Sequence, residues 1–216
     1  MKKVNIPIAL EGYPFILFSG FATLILAVLE MEYAALAALV LTGFVLWFFR
    51  DPERVTPQES NAIICPADGK VIIAETVFDD RFLNKEVMKI SIFMNVFNVH
   101  VNRFPLAGKI IKVLLKPGKF YSADTEKGAL RNEYCAITVR TDKNMEYCVV
   151  QVAGLIARRI ICWAEAGDTL QAGQRYGLIR FGSRVDLSLP TDIQLSVKKG
   201  DKVRAGETVL GLLPLT

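Results

Sequence analysis

Two long apolar stretches dominate the first quarter of the chain. Residues 13–29 and 33–49 each run 17 positions without a charge. As helices they would each measure about 25 Å, the short end of what crosses a bilayer. Glu30-Met31-Glu32 separates them, Lys2 and Lys3 precede them, and Arg50 and Arg54 follow. Acids at the bend and cations at both outer ends predict a helical hairpin with its ends on the cytoplasmic side. Gly20 with Ala22, and Ala34, Ala35, Ala37, Ala38 with Gly43, would let the helices approach closely. Pro7, Glu11, Gly12 and Pro14 break up the approach to the apolar core, and a second apolar run follows, which argues against a secretory signal. Full crossing and monotopic insertion are both compatible with the pattern. Pro52 marks the end of the helical run.

From about residue 55 the texture changes to short β-type runs broken by Gly, Pro and Asp. Strands are expected at 69–76, 87–94, 110–115, 134–140, 147–152, 160–163, 177–181, 185–189 and 208–213. Such spacing predicts a mainly β fold, a barrel or sandwich, behind the apolar α-helical hairpin. The expected domains are therefore 1–54 and 55–216. A short helix fits 122–130, inside a charged, glycine-bearing stretch (116–131) that reads as a candidate lid. One repeat stands out: Gly167-Asp-Thr-Leu-Gln-Ala-Gly173 matches Gly200-Asp-Lys-Val-Arg-Ala-Gly206. Each is a turn, an apolar peg and a second turn, as in the hairpins of biotinyl- or lipoyl-type barrels.

Composition sharpens this picture at three points. A hydrophobic share of 52% and a mean hydropathy of +0.33 exclude a disordered chain. The first 49 residues carry two lysines against three glutamates, a net of −1, so the β-type body carries +5 of a whole-chain net charge of +4. A modestly basic body behind an apolar head suits an anionic membrane surface, and no dense basic run supports nucleic acid. Cys65, Cys135, Cys148 and Cys162 form no C-x-x-C pair and read as small buried hydrophobes in a reducing compartment. With a single histidine, His100, no metal site is expected.

The chemistry-bearing residues sit on separate turns. Phe181-Gly182-Ser183-Arg184 joins two apolar runs and, taken alone, is an ordinary turn. Pro66-Ala67-Asp68-Gly69-Lys70 is another turn, and Phe97-Asn98-Val99-His100-Val101-Asn102-Arg103 holds the lone imidazole. A histidine ending an apolar run is often structural. An Asp, a His and a Ser on three turns can also form a relay, since relays are defined by geometry and not by chain order. A membrane-anchored, non-enzymatic barrel or carrier module stays open on these residues, although Lys198-Lys199 precede the Gly-Asp turn instead of occupying a hairpin tip.

Taken together, the apolar head, P-A-D-G at 66–69, N-V-H-V-N-R at 98–103 and F-G-S-R at 181–184 resemble the short-chain branch of the phosphatidylserine decarboxylases. The resemblance covers essentially the whole chain. It implies a self-processing enzyme of phospholipid synthesis, a zymogen cut between Gly182 and Ser183 into a large chain (1–182) and a small chain (183–216). Ser183 becomes a covalent pyruvoyl cofactor, with His100 and Asp68 as relay partners. The substrate would be phosphatidylserine in the cell membrane at its cytoplasmic face; another amine-bearing substrate is the alternative. Arg103, Lys70 and Arg184 are candidates for the substrate phosphate, and a homo-oligomer stays open.

Three departures accompany the resemblance. Longer members read L-G-S-T at the cleavage site, carry a second His where Phe97 stands, and have Asn-Glu-Arg where this chain has Asn132-Glu133-Tyr134. A two-histidine mechanism therefore does not transfer. The chemistry still suits the residues present. A serine hydroxyl needs a base, imidazole is one near neutrality, and attack on the carbonyl one bond upstream closes a five-membered ring.

Overall fold

The computed structural model describes residues 7–59, 61–155, 159–180 and 182–214. The chain divides into two compact units, Met1–Glu53 and Arg54–Thr216.

In the first unit a 3-10 turn, Leu10–Gly12, leads into α1 (Tyr13–Val28), and α2 (Glu32–Phe48) returns beside it. Glu30 makes the reversal in the left-handed region, φ 58°. Thr23 and Thr42 meet across the pair, Oγ1 to Oγ1, at 3.1 Å. Leu17, Phe18, Phe21, Leu24, Leu36 and Val40 are exposed. The segment Leu10–Val28, of mean hydropathy 1.5, is long and apolar enough to cross a membrane, and α2 is a shorter apolar helix. An exposed surface this apolar needs a nonaqueous partner.

The second unit is built from strands β1 (Ala62–Ile64), β2 (Gly69–Asp79), β3 (Lys85–Met94), β4 (Val101–Arg103), β5 (Gly108–Lys116), β6 (Tyr134–Arg140), β7 (Glu146–Ala153), β8 (Ile160–Cys162), β9 (Thr169–Leu170), β10 (Arg175–Ile179), β11 (Ser183–Leu189), β12 (Gln194–Leu195), β13 (Lys202–Val203) and β14 (Val209–Leu212), with one short helix, α3 (Glu126–Arg131). A curled eight-stranded antiparallel sheet runs β13-β2-β3-β11-β7-β6-β5-β9, flanked by three-stranded sheets β1-β14-β12 and β4-β10-β8. The fold is mainly β with an N-terminal apolar helix, as the texture predicts. The strands missed by the sequence reading are the short ones, such as β4 and β13, which carry too few residues to display an alternation.

The two Gly-Asp repeats supply β9 and β13, the two outer strands of the large sheet. Their glycines adopt matching left-handed conformations: φ 101° and 79° at Gly167 and Gly173, 104° and 76° at Gly200 and Gly206. Asp168 and Asp201 each accept a backbone N–H three residues upstream, from Glu165 and Lys198, at 2.9 Å. The repeat is therefore structural, two copies of one turn that close the sheet's ends.

β11 lies at the middle of the sheet, paired with β3 on one side and β7 on the other. Alternation sends Val185, Leu187 and Leu189 into the main core with Ile90, Ile92 and Met94. Arg184, Asp186 and Ser188 face the other way and are also buried. There a smaller cluster of Tyr134, Ala136, Cys148, Val150 and Val152 is covered by Phe82 and Leu83. The four cysteines are free thiols, three of them buried. Burial pushes the Cys148 thiol up to about 12 and Cys65 higher still, so both are inert at neutral pH.

Candidate active site

Ser183 is the first residue of the central strand, fully buried, level with Met94 of β3 and Ala153 of β7. Its Oγ has no hydrogen-bond partner. A buried hydroxyl left unpaired costs about 1–3 kcal/mol, so its retention calls for a chemical reason. Gly182, immediately before it, has φ +65°, which a side chain would strain.

The imidazole arrives from the turn that follows β3. Asn98 Oδ1 accepts the Asn95 N–H and Asn95 Oδ1 accepts the Phe97 N–H, both at 2.9 Å. That turn aims the Asn98 carbonyl at His100 Nδ1, 2.9 Å away. A carbonyl only accepts, so Nδ1 carries the proton and Nε2 holds the lone pair. Nε2 in turn receives the Gly182 N–H at 3.3 Å. The base form of the imidazole is thus fixed at the Gly182–Ser183 junction. His100 is itself fully buried, and its carbonyl accepts Ile179 N–H of β10 at 3.3 Å.

Two residues not singled out from sequence share this face. Gln151 of β7, opposite Val185, donates through Nε2 to Asn102 Oδ1 at 2.9 Å. Asn102 Nδ2 approaches Met94 Sδ at 3.6 Å. Gln151 Oε1 is buried and unpartnered like Ser183 Oγ. A glutamine in the inward parity of Tyr147 and Val149 was the available signal. Gly154 is the third omission. A Cβ there would fall 2.0 Å from the Gly182 carbonyl oxygen. Gly154→Ala is therefore expected to displace the Gly182–Ser183 peptide. Since a shift of about 1 Å costs roughly a hundredfold in rate, the self-cleavage that the family resemblance implies for that peptide, followed on a denaturing gel, should slow by that order. Conversion at the normal rate would show that this close approach is irrelevant.

Asp68 stands on a different network. Its Oδ2 pairs with Arg54 Nη2 at 3.1 Å, and its Oδ1 accepts the Ala205 N–H at 2.8 Å. Arg54 also reaches Glu207 at 3.0 Å. Both carboxylate oxygens are thus engaged away from His100 Nδ1, whose partner is the Asn98 carbonyl.

The three candidate phosphate cations separate as well. Arg184 points to the face opposite Ser183, buried against Asp186 and donating to Ser91 Oγ at 2.9 Å. There it helps line a pocket of about 410 Å³ with Lys89, Asp79 and Arg81. Arg103 is buried, donates to the Gly173 carbonyl at 3.1 Å, and lies beside Gly206. Lys70 is exposed, opposite Lys202 and Phe93. Among the described residues no cluster of His, Cys, Asp and Glu could hold a metal.

A histidine nitrogen with its lone pair at a Gly-Ser junction, beside an unpaired buried hydroxyl, is an arrangement that can support nucleophilic chemistry. The family profile described as phosphatidylserine decarboxylase matches residues 41–211. A relative from Desulfotalea psychrophila, named phosphatidylserine decarboxylase proenzyme, is 57% identical over 98% of this chain and 99% of its own. Relatives of the same name from Geotalea uraniireducens and Geobacter metallireducens are 50% and 49% identical, each over 99% of this chain and 100% of their own. The chain belongs to the phosphatidylserine decarboxylase family, and with it to the carboxy-lyases.

Proposed function

We propose that this chain converts phosphatidylserine to phosphatidylethanolamine after cutting itself between Gly182 and Ser183. The observation that carries the reading is the buried, unpartnered Ser183 hydroxyl beside the Gly182–His100 contact. His100 Nε2 exchanges the Gly182 N–H for the Ser183 hydroxyl and takes its proton. Oγ then adds to the Gly182 carbonyl carbon. Collapse breaks the C–N bond, the amine takes a proton, and an ester through Oγ remains. Loss of the Ser183 α-proton expels the Gly182 carboxylate and leaves dehydroalanine at position 183. Tautomerisation and hydrolysis by one water release ammonia, and residue 183 becomes an N-terminal pyruvoyl group. Gly154, lacking a side chain, leaves space at the Gly182 carbonyl oxygen.

The residues present fit that group: residue 183, whose Cα would carry its ketone, is fully buried, with Asn102, Gln151 and His100 beside it. When formed, it supplies a carbonyl that engages the substrate amine and accepts the electrons left as CO₂ departs. His100, held through Nδ1, keeps Nε2 available to carry a proton to the substrate. Asp68 enters as a positioning residue. Through Ala205 it ties the small chain to Arg54 of the large chain, while β11 stays paired on both sides. The apolar hairpin anchors the enzyme at the cytoplasmic face of the cell membrane, raising its effective concentration near a lipid substrate.

Intact-mass analysis of active protein should find chains of 182 and 34 residues. The smaller should lack a free amino terminus, and CO₂ should be released from phosphatidylserine vesicles but not from free serine. An undivided chain in an active preparation would overturn the proposal.

A further inference from the structure

The strand ends that carry the Gly182–Ser183 junction form one edge of the large sheet. Ser183 is level with Met94 and Ala153, so Gly182, Asn95 and Gly154 are the next residues past that edge. Neighbouring strands lie about 4.8 Å apart, so these three continuations emerge within about 10 Å of one another. Two of them present apolar side chains to solvent: Phe97 is 65% exposed and Leu155 is 62% exposed. Phe97 sits on the Asn95–Asn98 turn that also orients His100.

Cations accompany these tips. Lys70 and Lys202, both exposed, face each other across β2 and β13 at the same edge. Arg159, exposed, precedes β8, and its carbonyl accepts the Arg180 N–H next to the Ile179–His100 contact. Nearby acids are turned toward the backbone: Asp201 accepts the Lys198 N–H and Glu133 the Ile160 N–H. At the far edge, the β6–β7 hairpin tip displays Asp142, Lys143 and Asn144 instead.

We propose that the Ser183 edge of the β unit is itself a docking surface for an anionic bilayer. Phe97 and Leu155 enter the acyl region, and Lys70, Lys202 and Arg159 meet lipid phosphates. Isolated apolar tips set among exposed cations match a charged lipid surface, which combines a dry interior with a negative rim. A protein partner would instead favour a contiguous apolar patch. The inference rests on the lipid-substrate reading and deepens it, since the substrate would then reach Ser183 from within the membrane.

Depth-dependent fluorescence quenching in the full-length, processed protein tests this surface. In a chain carrying Trp47→Phe and Trp163→Phe, single reporters are introduced as Phe97→Trp, Leu155→Trp or, at the far edge, Asp142→Trp. Vesicles of phosphatidylglycerol, a lipid without the serine amine, carry bromine on the acyl chains. Reporters at 97 and 155 should lose about half their emission or more, as expected for side chains roughly 5–10 Å into the interface. The reporter at 142 should be unaffected, and phosphatidylcholine vesicles should quench far less. Quenching at 97 and 155 no greater than at 142 overturns the proposal, and so does equal quenching on phosphatidylcholine. Either reporter alone decides, should the other prevent processing. CO₂ release from phosphatidylserine by the native-sequence protein tests the enzymatic reading separately. Turnover with the reporters at 97 and 155 unquenched removes the docking surface and leaves the enzyme, whereas quenching without turnover supports the surface and removes the substrate.

Discussion

Ser183→Ala should leave a single chain of 216 residues with no decarboxylase activity and undiminished stability. The first two outcomes follow from chemistry: without Oγ there is no nucleophile for the Gly182 carbonyl and no ester whose elimination leads to the pyruvoyl ketone. The third follows from packing. Ser183 is fully buried and its hydroxyl makes no hydrogen bond, so alanine removes a desolvated polar atom and breaks no pairing. Relief of that cost, about 1–3 kcal/mol, would raise Tm by several degrees, at about 2–4 °C per kcal/mol for a domain of this size. A denaturing gel, a CO₂ assay and a melting curve measure the three parts. Fragments appearing from this variant would remove Ser183 from the mechanism. A fall in Tm of similar size would mean that the hydroxyl is engaged structurally.

His100→Gln should slow conversion of the precursor by about 10²–10⁴, the usual contribution of a positioned general base. That corresponds to roughly 3–5 kcal/mol of barrier. Glutamine is the informative replacement because its amide oxygen can still accept the Gly182 N–H that now reaches Nε2 at 3.3 Å. The local structure is then retained while the ability to take a proton is lost. Conversion within a few-fold of normal would show that the imidazole only supports the turn through Asn98 and is not the base. The two substitutions read different steps of one event: Ser183→Ala removes the attacking atom, and His100→Gln removes the acceptor of its proton.

Much of the site is legible in the chain. Gly182-Ser183 and His100 stand out as a junction and a lone imidazole, and the structure brings them together through one hydrogen bond. Asp68 stands out equally, yet its carboxylate is engaged by Arg54 and Ala205. Arg54 had been legible only as a cation flanking the apolar head, and Ala205 as part of a repeat 137 residues away. No local pattern encodes such a meeting. Arg184 illustrates the same limit in another way. It adjoins Ser183 in sequence and so invites a role beside it, but the pleat sends consecutive side chains to opposite faces, and Arg184 is buried against Asp186 and Ser91 on the far side. Gln151 and Gly154 were unremarked, and Asn102 was legible only as part of the 98–103 motif, because a lone amide in a strand and a glycine at its end are ordinary until the register aligns them with Ser183.

By itself the sequence determined the apolar hairpin, the β character of the body, the paired Gly-Asp turns and the Gly182-Ser183 motif. Each of these is written in hydrophobic period, turn chemistry or a short motif, which depend only on neighbours along the chain. The tertiary structure decided which face each strand residue serves, which carboxylate is occupied, and that Phe97, Leu155 and the Gly182–Ser183 bond share one edge. Those facts depend on strand register, which brings together residues far apart in the chain and is set by burial of the whole sheet, not by any segment within it.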